Sequence, residues 1–171
     1  MSEQARVEIR PIRPGDLDAI LSIDGEIRAQ GKAITYSNLT TEYILSAGGG
    51  RRPRSSRDIY MRSITADVAP LLDFSFVAEL DGQVRGFILG QVARLRDSAT
   101  ELGVVQMIGV HPDYQRQGIG SKLIHALADK YRSEGVKAIR IGIDHRDKSL
   151  LALVEHVGFG VDHLIVYSMV L

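Results

Sequence analysis

The chain predicts a mixed α/β fold, a sheet with helices packed on it, and three stretches of its 171 residues carry that prediction. The first is the alternating apolar run 74–80, the pair Asp81-Gly82 and a second apolar run, 83–93. This is a hairpin signature, because Asp-Gly tolerates the positive φ angles of a tight primed turn. The second stretch runs from Val104 to Leu123: an apolar segment ending at Val110, a Pro-containing turn, the glycines Gly118 and Gly120, and a helix start. The third is an isoleucine-rich strand at 138–143, followed by a helix at 148–157 that Asp147 can cap and Gly158 can stop.

Taken in order, residues 6–12 alternate Val7, Ile9 and, past Pro11, Ile12 with charged residues, as an edge strand does. Pro14-Gly15-Asp16 opens a helix whose buried stripe is Leu17, Ile20 and Leu21, extended by Ile23 and Ile27. A polar connection with Gly31 leads to a second short helix at 38–47, stopped by Gly48-Gly49-Gly50. Residues 48–58 are the one low-complexity stretch and read as a surface loop, although Arg51, Arg52, Arg54 and Arg57 also suit a phosphate or an acidic partner. Residues 59–73 fit either an irregular helix or a strand before Pro70. The hairpin follows, then a polar turn at 94–101 into the strand that ends at Val110.

The helix after the glycine pair keeps Ile119, Leu123, Leu127 and Tyr131 on one face, with Ile124 and Ala128 beside them. Lys122, His125, Asp129 and Arg132 fall on its wet side, and Gly135 closes it. The last strand, about 163–171, is apolar on both faces and should be covered. The order is β-α-α-β-β-β-α-β-α-β, with no internal repeat and no dividing linker, so a single domain over 1–171 is expected.

Composition narrows the function classes. With 44% hydrophobic and 25% charged residues the chain reads as an ordinary folded protein. Basic and acidic residues balance at 21 each, which argues against a nucleic-acid binder that needs a basic surface. The absence of cysteine excludes disulfides, thiol nucleophiles and thiolate metal sites. The five histidines show no metal-ligating spacing, so no metal is expected. The first residues lack an apolar leader, and no stretch of about 18 apolar residues could span a bilayer. No membrane role and a cytoplasmic location are therefore the expectation.

The stretch around the glycine pair speaks most directly of chemistry. A helix start presents amides without intrahelical partners and the positive end of a dipole, so it suits phosphate. A glycine pair alone would be weak evidence, but here it follows an apolar strand and a His111-Pro112 turn and precedes an amphipathic helix. It is neither a Walker loop, which needs Gly-Lys-Ser/Thr, nor a Rossmann turn with its downstream acid.

Gln115-Arg116-Gln117-Gly118-Ile119-Gly120 resembles the acetyl-CoA-binding motif Gln/Arg-x-x-Gly-x-Gly/Ala of the GNAT N-acetyltransferase superfamily. The stretch from Asp147 to Phe159 is similar to that family's later helix, usually Asn-x-x-Ala-x-x-Leu-Tyr-x-x-x-Gly-Phe. The hairpin and the first two helices sit where the family places them, so the resemblance covers essentially the whole chain. It implies a mostly antiparallel central sheet of six to seven strands with about four helices. The sheet would be splayed between the strand ending at Val110 and the strand at 138–143.

It further implies acetyl-CoA as acyl donor and an amine acceptor, on a protein, a peptide or a small molecule. The CoA pyrophosphate would meet the amides of Gln117, Gly118, Ile119, Gly120 and Ser121, with Gln115 and Arg116 beside them and the glycines permitting close approach. Pantetheine would lie along Ile108, Gly109 and Val110 like an added strand, near Asp147, and an amide there would face the thioester carbonyl. A homodimer is compatible with this reading.

The proton-handling positions depart from the family. Its tyrosine acid falls at Val154, and its glutamates fall at Gly142, Val104 or Gln106. Replacement candidates are Glu79, Glu101, Asp144, His145 and Tyr167. Asp144 and His145 are favoured because they follow the strand lining the gap, and Tyr167 as a donor. Asp144 and His145 equally suit a turn before the Asp147 cap, and Tyr167 suits core packing. Two other functions fit the sequence: an acyl-CoA-binding or sensing domain without turnover, and a regulatory protein that uses the arginine loop.

Overall fold

Five strands form one sheet in chain order: β1 (Glu8–Pro11), β2 (Ser75–Leu80), β3 (Gln83–Arg94), β4 (Glu101–Val110) and β5 (Ile139–Ile141). Three helices accompany them: α1 (Leu17–Ala29), α2 (Ile119–Ser133) and α3 (Lys148–His156). The computed structural model describes residues 6–30, 73–94 and 101–162. The expected helix at 38–47, the arginine-rich stretch, nearly all of 59–73 and the last strand lie outside the described residues. β1 to β4 pair antiparallel and β5 joins β4 in parallel, the mixed, mostly antiparallel sheet that was expected. No described helix is long and apolar enough to cross a membrane.

The hairpin forms as read. Asp81 (φ 50°) and Gly82 (φ 76°) both take the left-handed conformation of a primed turn, whose twist matches that of β2 and β3. Both faces of these strands are covered, which is why their apolar runs are nearly continuous. Val77, Phe87, Leu89 and Met107 point to one face, under Ile20, Ile23 and Ile27 of α1. Ala78, Leu80, Ile88, Val105 and Ile108 point to the other, under Leu123, Ile124, Leu127 and Tyr131 of α2 and Leu150 and Val154 of α3. The alternation Val77/Ala78 and Phe87/Ile88 is the period-2 pleat dividing the core into two layers.

The buried stripe of α1 is rotated from the one expected. Ile20, Ile23, Asp24 and Ile27 are buried, whereas Leu17 and Leu21 lie half-exposed along its edge. Asp24 is tolerated inside because Arg28, one turn on, binds it at 2.7 Å.

Two irregularities coincide in the middle of β4. Leu89 pairs with Met107 but Gly90 pairs with Val105, so Gln106 is an extra residue, a β-bulge on β4. The parallel pairing of β4 with β5 ends at that same place, at Val105 opposite Ile141. A bulge bends its strand, and β4 leaves β5 from Gln106 onward. This explains why β5 has three residues rather than the six expected at 138–143: Gly142 and Ile143 have no neighbouring strand to pair with among the described residues.

Candidate active site

Beyond the bulge, the register decides which way the polar groups of β4 face. The amide of His111 donates to the carbonyl of Arg85 at 2.8 Å, so odd-numbered residues here point toward β3. By alternation, Ile108 and Val110 turn their backbone groups toward the gap that β5 has left. The carbonyl of Val110 accepts from Gln115 Nε2 at 2.9 Å, a bond that folds the following loop back against the strand end.

That loop is built by short-range chemistry. His111 caps a single 3-10 turn, Pro112–Tyr114, its Nδ1 accepting from the Asp113 amide at 3.3 Å. The Tyr114 ring is held by the Arg85 guanidinium, 4.7 Å above its centroid, and by the edge-on ring of His111 at 5.5 Å. Arg116 then takes φ 62°, unusual for a residue with a Cβ, and Gly118 takes φ 78°. Gly118 is also the N-cap of α2, where a Ser or Asp side chain would ordinarily accept from the first turn. Glycine leaves the amides of Ile119, Gly120 and Ser121 without partners among the described residues, at the positive end of the helix.

The two glycines of the motif have different reasons. Gly118 is required by its left-handed backbone, and open space surrounds the position of a Cβ. A Cβ on Gly120 would stand 2.8 Å from Leu153 Cδ2, so this glycine lets α3 close onto the first turn of α2. Gly120 thus has a packing role beside the close approach to a phosphate expected of it at the cleft.

Together these elements enclose a cleft of about 740 Å³, within the size range of small-molecule sites. Its lining includes Ile108, Gly109 and Val110 of β4 and Gln115, Arg116, Gly118, Ile119, Gly120 and Ser121 of the loop and helix start. Asp147 and the α3 side chains Ser149, Leu150, Ala152, Leu153 and His156 complete it, with Ile27 and Tyr114. Of the binding residues expected from sequence, only Gln117 is not in that lining; its side chain donates back to the Asp113 carbonyl at 3.4 Å. Asp147 keeps a structural task as well, one oxygen accepting from the Leu150 amide at 3.0 Å to cap α3. Sequence reading missed the α3 face. Helical spacing of Ser149, Ala152, Leu153 and His156 after the Asp147 cap was the signal that would have found it.

The proton-handling candidates fare differently. Asp144 and His145 do not line the cleft. Asp144 is gripped by Arg146 through three side-chain contacts of 2.6, 3.0 and 3.1 Å. The side-chain bonds from Arg146, then its backbone amide, hold the Asp144 carboxyl well below the usual carboxylate range. A carboxylate so held has little affinity for a proton near neutrality, which suits a turn anchor and not a general base. His145 is fully exposed beside it. Glu79 is likewise committed, to Arg10 at 2.7 Å. Val154 is buried in the core beneath α3, with no hydroxyl to offer the cleft. Tyr167 lies outside the described residues. Among the described residues no group of three His, Asp or Glu side chains is placed to hold a metal.

A bulged strand, a parallel neighbour that parts from it and a glycine loop at a helix start define the acetyltransferase class of α/β folds. The chain belongs to the acetyltransferase (GNAT) family, whose model matches residues 40–159. By sequence it is similar to the ribosomal protein bS18 alanine N-acetyltransferase of Escherichia coli (strain K12), 33% identical over 85 residues, 50% of this chain and 53% of that protein. The chain thus spans about half the length of the curated relatives it matches. Among solved structures it is similar to an aminoglycoside acetyltransferase from an uncultured soil metagenomic sample, with TM-score 0.62, 20% identity and coverage of 96% and 95% of the two chains. It is also similar to the aminoglycoside N-acetyltransferase AAC(6')-Iy in complex with CoA, with TM-score 0.67, 15% identity and coverage of 99% and 97%. These last two are likenesses of fold.

Proposed function

We propose that the protein is an N-acetyltransferase that moves an acetyl group from acetyl-CoA to a primary amine by direct attack. The observation that carries this is the continuity of the cleft. One end offers outward-facing backbone groups at Ile108 and Val110, and the other offers unpartnered amides at Ile119 to Ser121 with Arg116 beside them. The first set suits an amide-rich extended chain and a thioester carbonyl, the second a pyrophosphate, and CoA joins both in one molecule. Asp147, standing where the family usually has Asn, can only accept hydrogen bonds when ionised, so it would take a pantetheine N–H.

In the proposed reaction the neutral amine's lone pair forms a bond to the acetyl carbon. The carbonyl oxygen takes up the charge facing the β4 amides, the C–S bond breaks, and the thiolate collects a proton. The nitrogen gives its proton to water and Tyr167 is the proposed acid; Asp144 is withdrawn as a base by Arg146, and His145 by its place outside the cleft lining. The acceptor is an α-amino group, a lysine or a small-molecule amine, and the working location is the cytoplasm.

The test is thiol release from acetyl-CoA with a panel comprising N-terminal peptides, lysine peptides, polyamines and aminoglycosides. Turnover with one class and not the others supports the reading and names the acceptor. Tight CoA binding with no turnover across the panel would replace it with the second reading, a CoA-binding domain, which the burial of Val154 favours.

Arg116 gives a sharper test because its two properties have opposite signs. Arg116→Gly should raise folding stability by about 1 kcal/mol, since the left-handed backbone no longer opposes a Cβ. It should also weaken CoA by roughly tenfold through loss of a charge-assisted phosphate contact. Chemical denaturation and calorimetric titration with CoA measure the two effects. Unchanged CoA affinity would remove Arg116 from the site.

A further inference from the structure

We infer that Gln106 binds the attacking nitrogen and, being uncharged, selects an α-amino group over a lysine side chain as the acceptor. The inference rests on the acetyl-CoA reading of the cleft. With the phosphates at the start of α2 and pantetheine running back from Val110 to Ile108, the thioester arrives at the inner end of the gap. Gln106 is two residues further along β4, about 7 Å in a strand. It is the bulge residue, where the pairing with β5 has stopped. Val105 packs in the layer under α2 and Met107 in the layer under α1, so the chain changes face across Gln106. The Gln106 side chain is half-buried, and its amide has no hydrogen-bond partner among the described residues.

Glutamine takes no proton in the working range, and this decides the kind of amine it can serve. A carboxylate here would attract an ammonium and hold it charged. The Gln106 oxygen accepts from the N–H of a neutral amine and leaves the lone pair free for the acetyl carbon. The C–N bond forms and the C–S bond breaks with its electrons on sulfur. The surplus N–H proton goes to water, and the thiolate takes one up.

The titratable groups on the surrounding elements are engaged elsewhere. Asp24 of α1 is held by Arg28, Glu79 of β2 by Arg10, Arg140 of β5 by Asp162 and Asp144 by Arg146. Glu101 of β4 is partnered too, and the Tyr131 phenol of α2 is bonded to two carbonyls. In the cleft lining, Asp147 caps α3, Tyr114 lies under Arg85, and Arg116 and His156 belong to the loop and the end of α3. The acceptor must therefore supply its own neutral form. At about pH 7.5 roughly one third of α-amino groups are neutral, against about one in a thousand lysine side chains.

The experiment follows acetylation by the full chain of a peptide mixture, X-Ala-Ala-Lys amide with X varied, which offers both amines in one molecule. Initial rates and the acetylated position, read by mass spectrometry, are taken from about pH 6.5 to pH 9.5. The unchanged chain should acetylate the α-amino group at least about a hundredfold faster than the lysine near pH 7.5, with kcat/KM rising with pH and levelling near pH 8. Gln106→Ala should raise the peptide KM about tenfold at unchanged CoA affinity by calorimetry, which also shows that the variant folds. Gln106→Glu should raise lysine acetylation about tenfold relative to α-amino acetylation.

Preferred acetylation of lysine by the unchanged chain would overturn the inference, as would an unchanged peptide KM in Gln106→Ala. A profile that levels well below pH 8 would do so too, since a protein group would then be taking the proton. If thiol is released only with small amines, this inference fails and the proposed function stands. CoA binding without any turnover, or no CoA binding at all, would overturn the acetyltransferase reading and this inference with it.

Discussion

Gly90→Ala should destabilise the protein by about 2 kcal/mol, with a fall in Tm of roughly 4–8 °C for a chain of this size. The cause is Tyr131. Its ring lies flat against the sheet, almost wholly buried, stacked on Phe74 at 5.0 Å. Its hydroxyl lies 2.8 Å from the Gln91 carbonyl and 3.0 Å from that of Val104. Burial pushes the phenol pKa far above its ordinary value, so the hydroxyl stays protonated and donates at any working pH. A Cβ on Gly90 would sit 2.5 Å from this hydroxyl and 2.8 Å from the Phe74 carbonyl, and the latter is backbone that cannot swing aside.

Gly103→Ala meets the same ring at 2.8 Å, but only side-chain atoms. Tyr131→Leu should therefore recover much of the loss caused by Gly103→Ala and little of that caused by Gly90→Ala. Thermal melts of the single and double variants measure this. Equal rescue in the two cases would show that the Phe74 backbone does not contribute. Gly90 and Gly103 both lie on the β5-paired side of the bulge at Gln106, so Tyr131 clamps β3 to β4 just before β4 leaves β5. Its removal should also cost CoA affinity, although it does not line the cleft.

Asp16→Ala should cost about 3 kcal/mol, and it should change how the protein responds to acid. Arg10 on β1 reaches both Asp16 oxygens at 2.8 Å and Glu79 of β2 at 2.7 Å, while the Arg13 amide adds a bond of 2.7 Å to Asp16. Asp16 is almost fully buried and Arg10 largely so, so removing the carboxylate leaves a desolvated guanidinium with Glu79 as its one charged partner. The Arg10 hydrogen bonds, only partly opposed by desolvation, lower the Asp16 pKa from its usual 3.8. A depressed folded-state pKa means the stabilisation is complete above the unfolded value and is lost as pH falls through the folded one. The unchanged chain should thus lose stability progressively below about pH 4, and part of that slope should be missing in Asp16→Asn. Urea midpoints across the acid range decide it; parallel slopes would assign acid sensitivity to other carboxylates.

Much of the site was legible because local chemistry builds it. The phosphate loop needs glycine at a left-handed N-cap, an acceptor-free helix start and a turn before it, and all are properties of neighbours in the chain. The hairpin turn is of the same kind, since Asp81-Gly82 determines the turn and the pairs next to it, Leu80 with Gln83 and Glu79 with Val84; beyond them the register shifts. Asp147 as a cap needs nothing more distant than Leu150. The bulge was beyond reach, because Gln106 is marked as extra only by comparison with Leu89 and Gly90 on another strand.

The amino-acid sequence by itself determined the order of the described elements, the hairpin, the glycine loop and the family resemblance that the chain's membership then bore out. Tertiary structure decided what depends on residues far apart in the chain. It set Leu153 against Gly120, placed Val154 in the core, tied Asp144 to a turn and brought His156 to the cleft. The physical reason is range. Backbone conformation and capping act over three or four residues, whereas which face of α3 meets α2 is settled only when two helices and a sheet compete for the same buried area.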